Sequence, residues 1–297
     1  MRFQGIVPAC VTPFIDGRAS PEAMHANIAR WLDVGVHGFL VFGSTGEFMY
    51  LDADERRAVL QAAREAIPNT HFLLAGCGAE STRQTLRNLE WAAEDGADAA
   101  LVVTPAYYTR GNADAQRRHF LTLADRSPIP ILLYTVPAFT AYDLPVPLIE
   151  ELAQHPNIVG VKDSSGDLKR VVLQIHIQEE GDFTLFAGSP NLAYPALIMG
   201  AAGSITAFAN IAPEMFVSLW NAVQEKDLVR AAALQRAITQ LHGQIGPMGI
   251  PAIKAILNHR GYQGGEPRLP LAPLDETSAE RVIAAWRQAM GICEWWE

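Results

Sequence analysis

A chain of 297 residues that is 49% hydrophobic and 19% charged has globular composition, which excludes a disordered polypeptide. Lys and Arg number 23 against 32 Asp and Glu, a formal charge of -9 that argues against a nucleic-acid-binding surface. The three cysteines, Cys10, Cys77 and Cys293, are too scattered for a disulfide framework or a zinc motif, and they fit a reducing cytoplasm.

The first residues, 1–5, lack the long apolar stretch of a signal peptide and run straight into a predicted strand at 5–12. A helix over 21–34 follows, with Ser20 as its N-cap and Pro21 in its first position. Strand 38–44 leads to a helix over 52–67, which opens D-A-D-E. Strand 71–78 leads to a helix over 81–95, which closes at Gly96. Further strands are predicted at 99–105, 130–137, 158–164, 183–189 and 203–208, with helical stretches between them. Runs such as FLVFG, ALVVTP, ILLYTVP and IVGVK are apolar almost throughout, as strands of a parallel sheet covered on both faces are. Residues 183–213 contain no Asp, Glu, Lys or Arg, enough length to span a bilayer. Glycines, prolines and asparagines interrupt that stretch, and it reads instead as strand, helix and strand in a buried core.

Eight strand–helix units in about 225 residues predict an α/β chain folded as a (β/α)₈ TIM barrel over 1–225. A doubly wound sheet would carry a glycine-rich fingerprint after its first strand, where this chain has VTPFIDG. Helices predicted over 227–242, 250–260 and 277–290 form a C-terminal helical extension, 226–297, with a glycine- and proline-rich loop at 261–270.

Barrel enzymes place their chemistry at the C-terminal ends of the strands. Lys162, one of only four lysines, ends the apolar strand IVGV there. An amine desolvated in a barrel mouth is biased toward its neutral form, which attacks carbonyls to give a Schiff base. The competing role is a salt bridge to Asp163 or another carboxylate. Tyr134, on strand five, relays protons if it faces inward and is a core tyrosine if it does not. Ser44 and Thr45, in the turn GSTGE, offer N–H groups and hydroxyls to a carboxylate, or cap the turn. Tyr107 and Tyr108 suit subunit packing as well as a site. The eight histidines form no metal-binding motif, and no Walker A loop is present.

Taken together, GSTGE at 43–47, TPAYY at 104–108, YTVP at 134–137, KDSSGD at 162–167, AGS at 187–189 and GSITAFAN at 203–210 resemble the dihydrodipicolinate synthase/N-acetylneuraminate lyase family. The resemblance spans nearly the whole chain. It implies a (β/α)₈ barrel that forms a Schiff base with a 2-oxo acid, usually pyruvate, and needs no metal or organic cofactor. It also implies a homotetramer built as a dimer of dimers. Lys162 matches the Schiff-base lysine and Tyr134 the proton shuttle. Ser44 and Thr45 match the carboxylate-binding pair, with Thr45 also in the relay. Tyr107 matches a tyrosine that enters the neighbouring subunit's site. Gly188 and Ile205 match positions of the pyruvate pocket, and Ser164 and Phe139 complete the substrate-binding set.

Two departures bear on the substrate. Dihydrodipicolinate synthases carry an arginine for the aldehyde's carboxylate where this chain has Phe139, and an apolar ring cannot make that contact. Sialic acid lyases carry acidic residues where this chain has Ser189, Pro190 and Asn191. The closest likeness is to 4-hydroxy-2-oxoglutarate aldolases, which often have Asn at the place of Thr45. The expectation is a cytoplasmic Schiff-base lyase that releases pyruvate and an aldehyde, with no nucleic-acid or membrane partner. The alternatives are dihydrodipicolinate synthase, a 2-oxo sugar acid dehydratase, and a non-catalytic 2-oxo acid sensor.

Overall fold

The computed structural model describes residues 3–294, so the reading of Met1 and Arg2 and the end of the predicted C-terminal extension lie outside the described residues. Eight parallel strands form the barrel: β1 (Gly5–Pro8), β2 (Gly38–Val41), β3 (Phe72–Gly76), β4 (Ala99–Val103), β5 (Ile131–Thr135), β6 (Ile158–Asp163), β7 (Thr184–Ala187) and β8 (Gly203–Thr206). Neighbours in sequence pair from β2 to β8, with one register shift between Ile131 and Leu132 where β5 meets β6, and β8 pairs with β1 from Gly5 opposite Gly203 to Pro8 opposite Thr206. A bridge between Ala9 and Leu40 joins β1 to β2, with Cys10 N–H donating to the Leu40 carbonyl at 2.8 Å. The predicted TIM barrel is therefore present. Each strand is shorter than its apolar run, because the ends of the runs turn out of the sheet to build the loops of the barrel mouth.

The helices between the strands are α1 (Pro21–Val34), α2 (Ala53–Ala66), α3 (Thr82–Glu94), α4 (Ala113–Arg126), α5 (Val146–Leu152), α6 (Leu168–Glu180), α7 (Ala193–Ile198) and α8 (Pro213–Gln224). Their starts follow local chemistry. The side chains of Ser20 and Ser81 accept from N–H groups of the first turns of α1 and α3. Asp52 and Glu55 make a reciprocal capping box on α2. The charge-free stretch 183–213 holds β7, α7 and β8, and no helix among the described residues is long and apolar enough to cross a membrane. Beyond the barrel come α9 (Leu228–Ile245), α10 (Gly249–His259) and α11 (Glu276–Glu294).

Two apolar layers hold the barrel. Leu40, Leu74, Leu132 and Ile205 fill its interior. Their sequence neighbours Phe39, Leu73 and Leu133 pack outward under the helices. Successive side chains on a strand point to opposite faces, so this alternation exists even where every residue is apolar.

Candidate active site

At the C-terminal end of the barrel, two polar side chains from adjacent strands meet. Tyr134 on β5 stands opposite Lys162 on β6 in the parallel register. Tyr134 belongs to the interior cluster, which settles the direction that the sequence left open. Lys162 Nζ lies 4.5 Å from the centroid of its ring, and Lys162 is only 4% exposed. Asp163 points the other way, as strand alternation requires. Its carboxylate accepts from Gln174 Nε2 at 2.6 Å and Ser165 N–H at 2.8 Å, and pairs with Arg170. The salt bridge between Lys162 and Asp163 weighed from the sequence does not form. No carboxylate among the described residues lies within ion-pair reach of Lys162.

The GSTGE turn sits above this pair. After β2 the chain reverses at Phe42, whose φ of +59° is a left-handed conformation costly for a residue with a side chain. The Phe42 carbonyl comes so close to Gly76 that a Cβ there would lie 1.9 Å from it, so β3 needs glycine at that point. Ser44–Gly46 then forms one 3₁₀ turn, whose Gly46 carbonyl accepts from Thr12 Oγ1 at 2.7 Å. Ser44 and Thr45 are half-buried. Ser44, Phe48 and Val103 line a small recess shared with Tyr134, and the same three residues edge a larger cleft of about 590 Å³. Thr45 does not line that cleft.

Glu47, the last residue of the motif, carries weight the sequence did not reveal. It is buried, with a left-handed φ of +53°. Lys254 Nζ, on α10, lies 2.6 Å from its Oε1, and Arg268 N–H donates to its Oε2 at 2.8 Å. Lys254 is 1% exposed and also donates to the Glu266 carbonyl. Burial pulls its pKa below the ordinary lysine value, against the opposing pull of Glu47.

The remaining predicted residues fall in three places. Ile205 lies in the barrel interior with Tyr134. Gly188 and Ser164 pack together at the ends of β7 and β6: Gly188 N–H donates to the Asp163 carbonyl at 2.7 Å, and a Cβ on Gly188 would meet Ser164 Oγ at 1.9 Å. Phe139, in the one-turn helix Pro137–Thr140, edges the cleft and is 74% exposed. Tyr107 does not line the cleft of its own chain. It is 79% exposed, packed edge-on against Tyr108. Glu80 fixes that loop by accepting from Ala106 N–H at 3.2 Å and Tyr107 N–H at 2.9 Å. Glu47, Glu80, Lys254 and the cleft edge at Pro247–Pro251 are the parts that sequence reasoning missed. Among the described residues, no group of three His, Cys, Asp or Glu side chains could hold a metal ion.

The family model for the dihydrodipicolinate synthetase family matches residues 2–289. The chain belongs to that family. Membership makes it a lyase of the aldolase type and bears out the resemblance read from the motifs. A 4-hydroxy-tetrahydrodipicolinate synthase of Methanoculleus marisnigri is 38% identical over 94% of this chain and 97% of its own. The crystal structure of a dihydrodipicolinate synthase from Thermotoga maritima superposes with a TM-score of 0.92 at 27% identity, covering 98% of this chain and 100% of that one. The chloride-inhibited dihydrodipicolinate synthase of Acinetobacter baumannii, complexed with pyruvate, gives a TM-score of 0.89 at 31% identity, covering 97% and 99%.

Proposed function

We propose that this lyase splits a 4-hydroxy-2-oxo acid into pyruvate and an aldehyde through a Schiff base on Lys162. The observation that carries the reading is an amine buried at the end of a barrel strand, against a tyrosine ring, with no carboxylate to neutralise it. Lys162 Nζ attacks the C2 carbonyl and expels water to give a protonated imine. Tyr134 takes the proton from the C4 hydroxyl, and the C3–C4 electron pair moves into the imine as the aldehyde leaves. The resulting enamine takes a proton at C3, and water then hydrolyses the imine, freeing pyruvate and the amine.

In this reading, the N–H groups and hydroxyls of Ser44 and Thr45 hold the 2-oxo acid's carboxylate. Gly188, Ser164 and Ile205 shape the pocket around its small end, and Phe139 faces the departing aldehyde. Residues 1–225 form the catalytic barrel, and the appendage 226–297 supplies the far edge of the cleft. The exposed Tyr107–Tyr108 pair packs against a second copy in a cytoplasmic homotetramer, where Tyr107 enters the neighbour's proton relay. The likeness to 4-hydroxy-2-oxoglutarate aldolases supports the 4-hydroxy-2-oxo acid skeleton, and the chemistry of the cleft decides the group carried at C4. Borohydride trapping with pyruvate tests the reading: a reduced pyruvate adduct on the Lys162 peptide is expected, and a folded protein that gives none would refute it.

A second reading is dihydrodipicolinate synthase itself, supported by the likeness to the 4-hydroxy-tetrahydrodipicolinate synthase of Methanoculleus marisnigri. It predicts that pyruvate and aspartate semialdehyde are consumed together, which a coupled assay reads directly.

A further inference from the structure

The cleft of about 590 Å³, which shares Ser44, Phe48 and Val103 with the recess at Tyr134, has an uneven chemical lining. Phe48, Met49, Phe139, Met248, Ile250 and Leu271 give it an apolar wall. Among the described residues, its only charged lining residues are two carboxylates, Glu47 and Glu80, and neither Lys nor Arg lines it. The oxygens of both carboxylates are already engaged, Glu47 by Lys254 and the Arg268 N–H, Glu80 by the Ala106 and Tyr107 N–H groups. Three guanidinium groups that contact lining residues do not line the cleft themselves: Arg56 donates to the Phe48 carbonyl at 2.5 Å and lies over the Phe48 ring. Arg268 grips Glu55 and the Tyr50 carbonyl, and Arg281 touches Met248 Sδ at 3.8 Å from a neighbouring groove.

A carboxylate placed in this cleft would lose water, find no cation among the described lining residues, and face the Glu80 carboxylate, which no cation neutralises. An apolar group placed there gains about fourfold in affinity for each methylene it buries. We propose that the aldehyde partner of this enzyme is uncharged with an apolar body, aryl or alkyl, and that the cleft rejects aldehydes bearing a carboxylate. The inference rests on the pyruvate-imine reading above and names the second reactant of that same site. In the synthetic direction, C3 of the pyruvate enamine bonds to the aldehyde carbon. The aldehyde oxygen takes up a proton from Tyr134, and hydrolysis of the imine releases a 4-hydroxy-2-oxo acid with an apolar substituent at C4. The proton lost from C3 on enamine formation balances the one gained by oxygen. Phe139 is the residue of this wall best placed to set the choice, because it is exposed at the cleft edge and packs nothing in the core.

The test is an aldehyde panel with the full-length protein: benzaldehyde, hexanal, glyoxylate and aspartate semialdehyde, each with pyruvate, with pyruvate loss and product mass read together. Borohydride trapping with pyruvate alone runs in parallel. The expected result is a Lys162 adduct, and kcat/KM for benzaldehyde and hexanal on the order of 100-fold above that for glyoxylate and aspartate semialdehyde. Phe139→Arg should narrow that ratio by at least about tenfold, since a guanidinium can pair a carboxylate where the ring cannot. Equal or faster turnover of either carboxylate-bearing aldehyde would overturn the inference, as would an unchanged ratio in Phe139→Arg. An adduct with no turnover of any aldehyde overturns the inference and leaves the imine reading standing. No adduct at all removes both.

Discussion

Two buried lysines stand in nearly the same physical setting and are handled in opposite ways. Lys162 and Lys254 are 4% and 1% exposed, and each ammonium lies 4.5 Å from the centroid of an aromatic ring, Tyr134 for one and Phe14 for the other. Lys254 has Glu47 at 2.6 Å and a carbonyl acceptor in Glu266. Lys162 has neither a carboxylate nor a hydrogen-bond partner among the described residues. A buried charge without a partner is expensive, and removing one half of a buried pair costs several kcal/mol. Burial alone therefore does not mark a reactive lysine. In the function proposed above, the marker is burial with the counter-charge withheld.

The comparison is broken most sharply by exchanging each lysine for methionine. Lys162→Met should lower turnover by at least about 10⁴-fold, because the proposed imine is lost with its amine. Its thermal midpoint should stay near that of the parent, since no ion pair is lost. Lys254→Met should do the reverse in kind, costing about 3–5 kcal/mol in denaturant unfolding by stranding the Glu47 carboxylate. Adding Glu47→Gln to Lys254→Met should recover most of that loss. If the single variant is as stable as the parent, the pair is not the support described here.

His119 extends the comparison to a buried base on the outer layer. Its Nδ1 pairs with Thr82 Oγ1 at 2.9 Å, its Nε2 is buried without a partner, and burial pulls its pKa down to about 4, with Glu80 opposing. The unfolded chain binds a proton near pH 6.5 that the folded chain refuses until about pH 4. This contribution is therefore complete above about pH 6.5 and is lost as pH falls toward 4, by up to about 3 kcal/mol. Unfolding curves of the parent and His119→Gln across that range check the sign: the variant should show the shallower dependence. Tyr134→Phe gives the smallest change, since it leaves the ring against Lys162 and removes only the hydroxyl. A drop of about 10²-fold in turnover with little change in stability is expected, while the pyruvate adduct still forms under borohydride.

How much of this was legible beforehand follows from the geometry of a covered sheet. Both faces of each strand are apolar, so the runs announce themselves, and caps at Ser20, Asp52 and Ser81 mark where the helices begin. The same coverage hides which way a side chain points, because a period of two vanishes when every position is apolar. Tyr134 and the choice of partner for Lys162 were undecidable for that reason. The Glu47–Lys254 pair joins residues far apart in sequence, and no local pattern connects them. One signal was present: Lys254 falls among Ile250, Ile253 and Leu257 at helical spacing, on a face of α10 that would otherwise be wholly apolar.

The short hairpin between β1 and α1, Phe14–Ile15 with Arg18–Ala19, is tied to the far end of the chain. Phe14 bridges to Gly265, its ring carries the cations of Lys254 and Arg268, and the Gly17 carbonyl accepts from Arg268 Nη2 at 2.7 Å. Seen as an order of synthesis, a ribosome delivers the hairpin and Glu47 long before residues 254–268. A nascent chain halted ahead of residue 250 would hold all eight strands and Lys162, yet its GSTGE turn would rest on an unpaired carboxylate. The GSTGE turn therefore gains its counter-charge only after all eight strands have been made, when residues 254–268 follow.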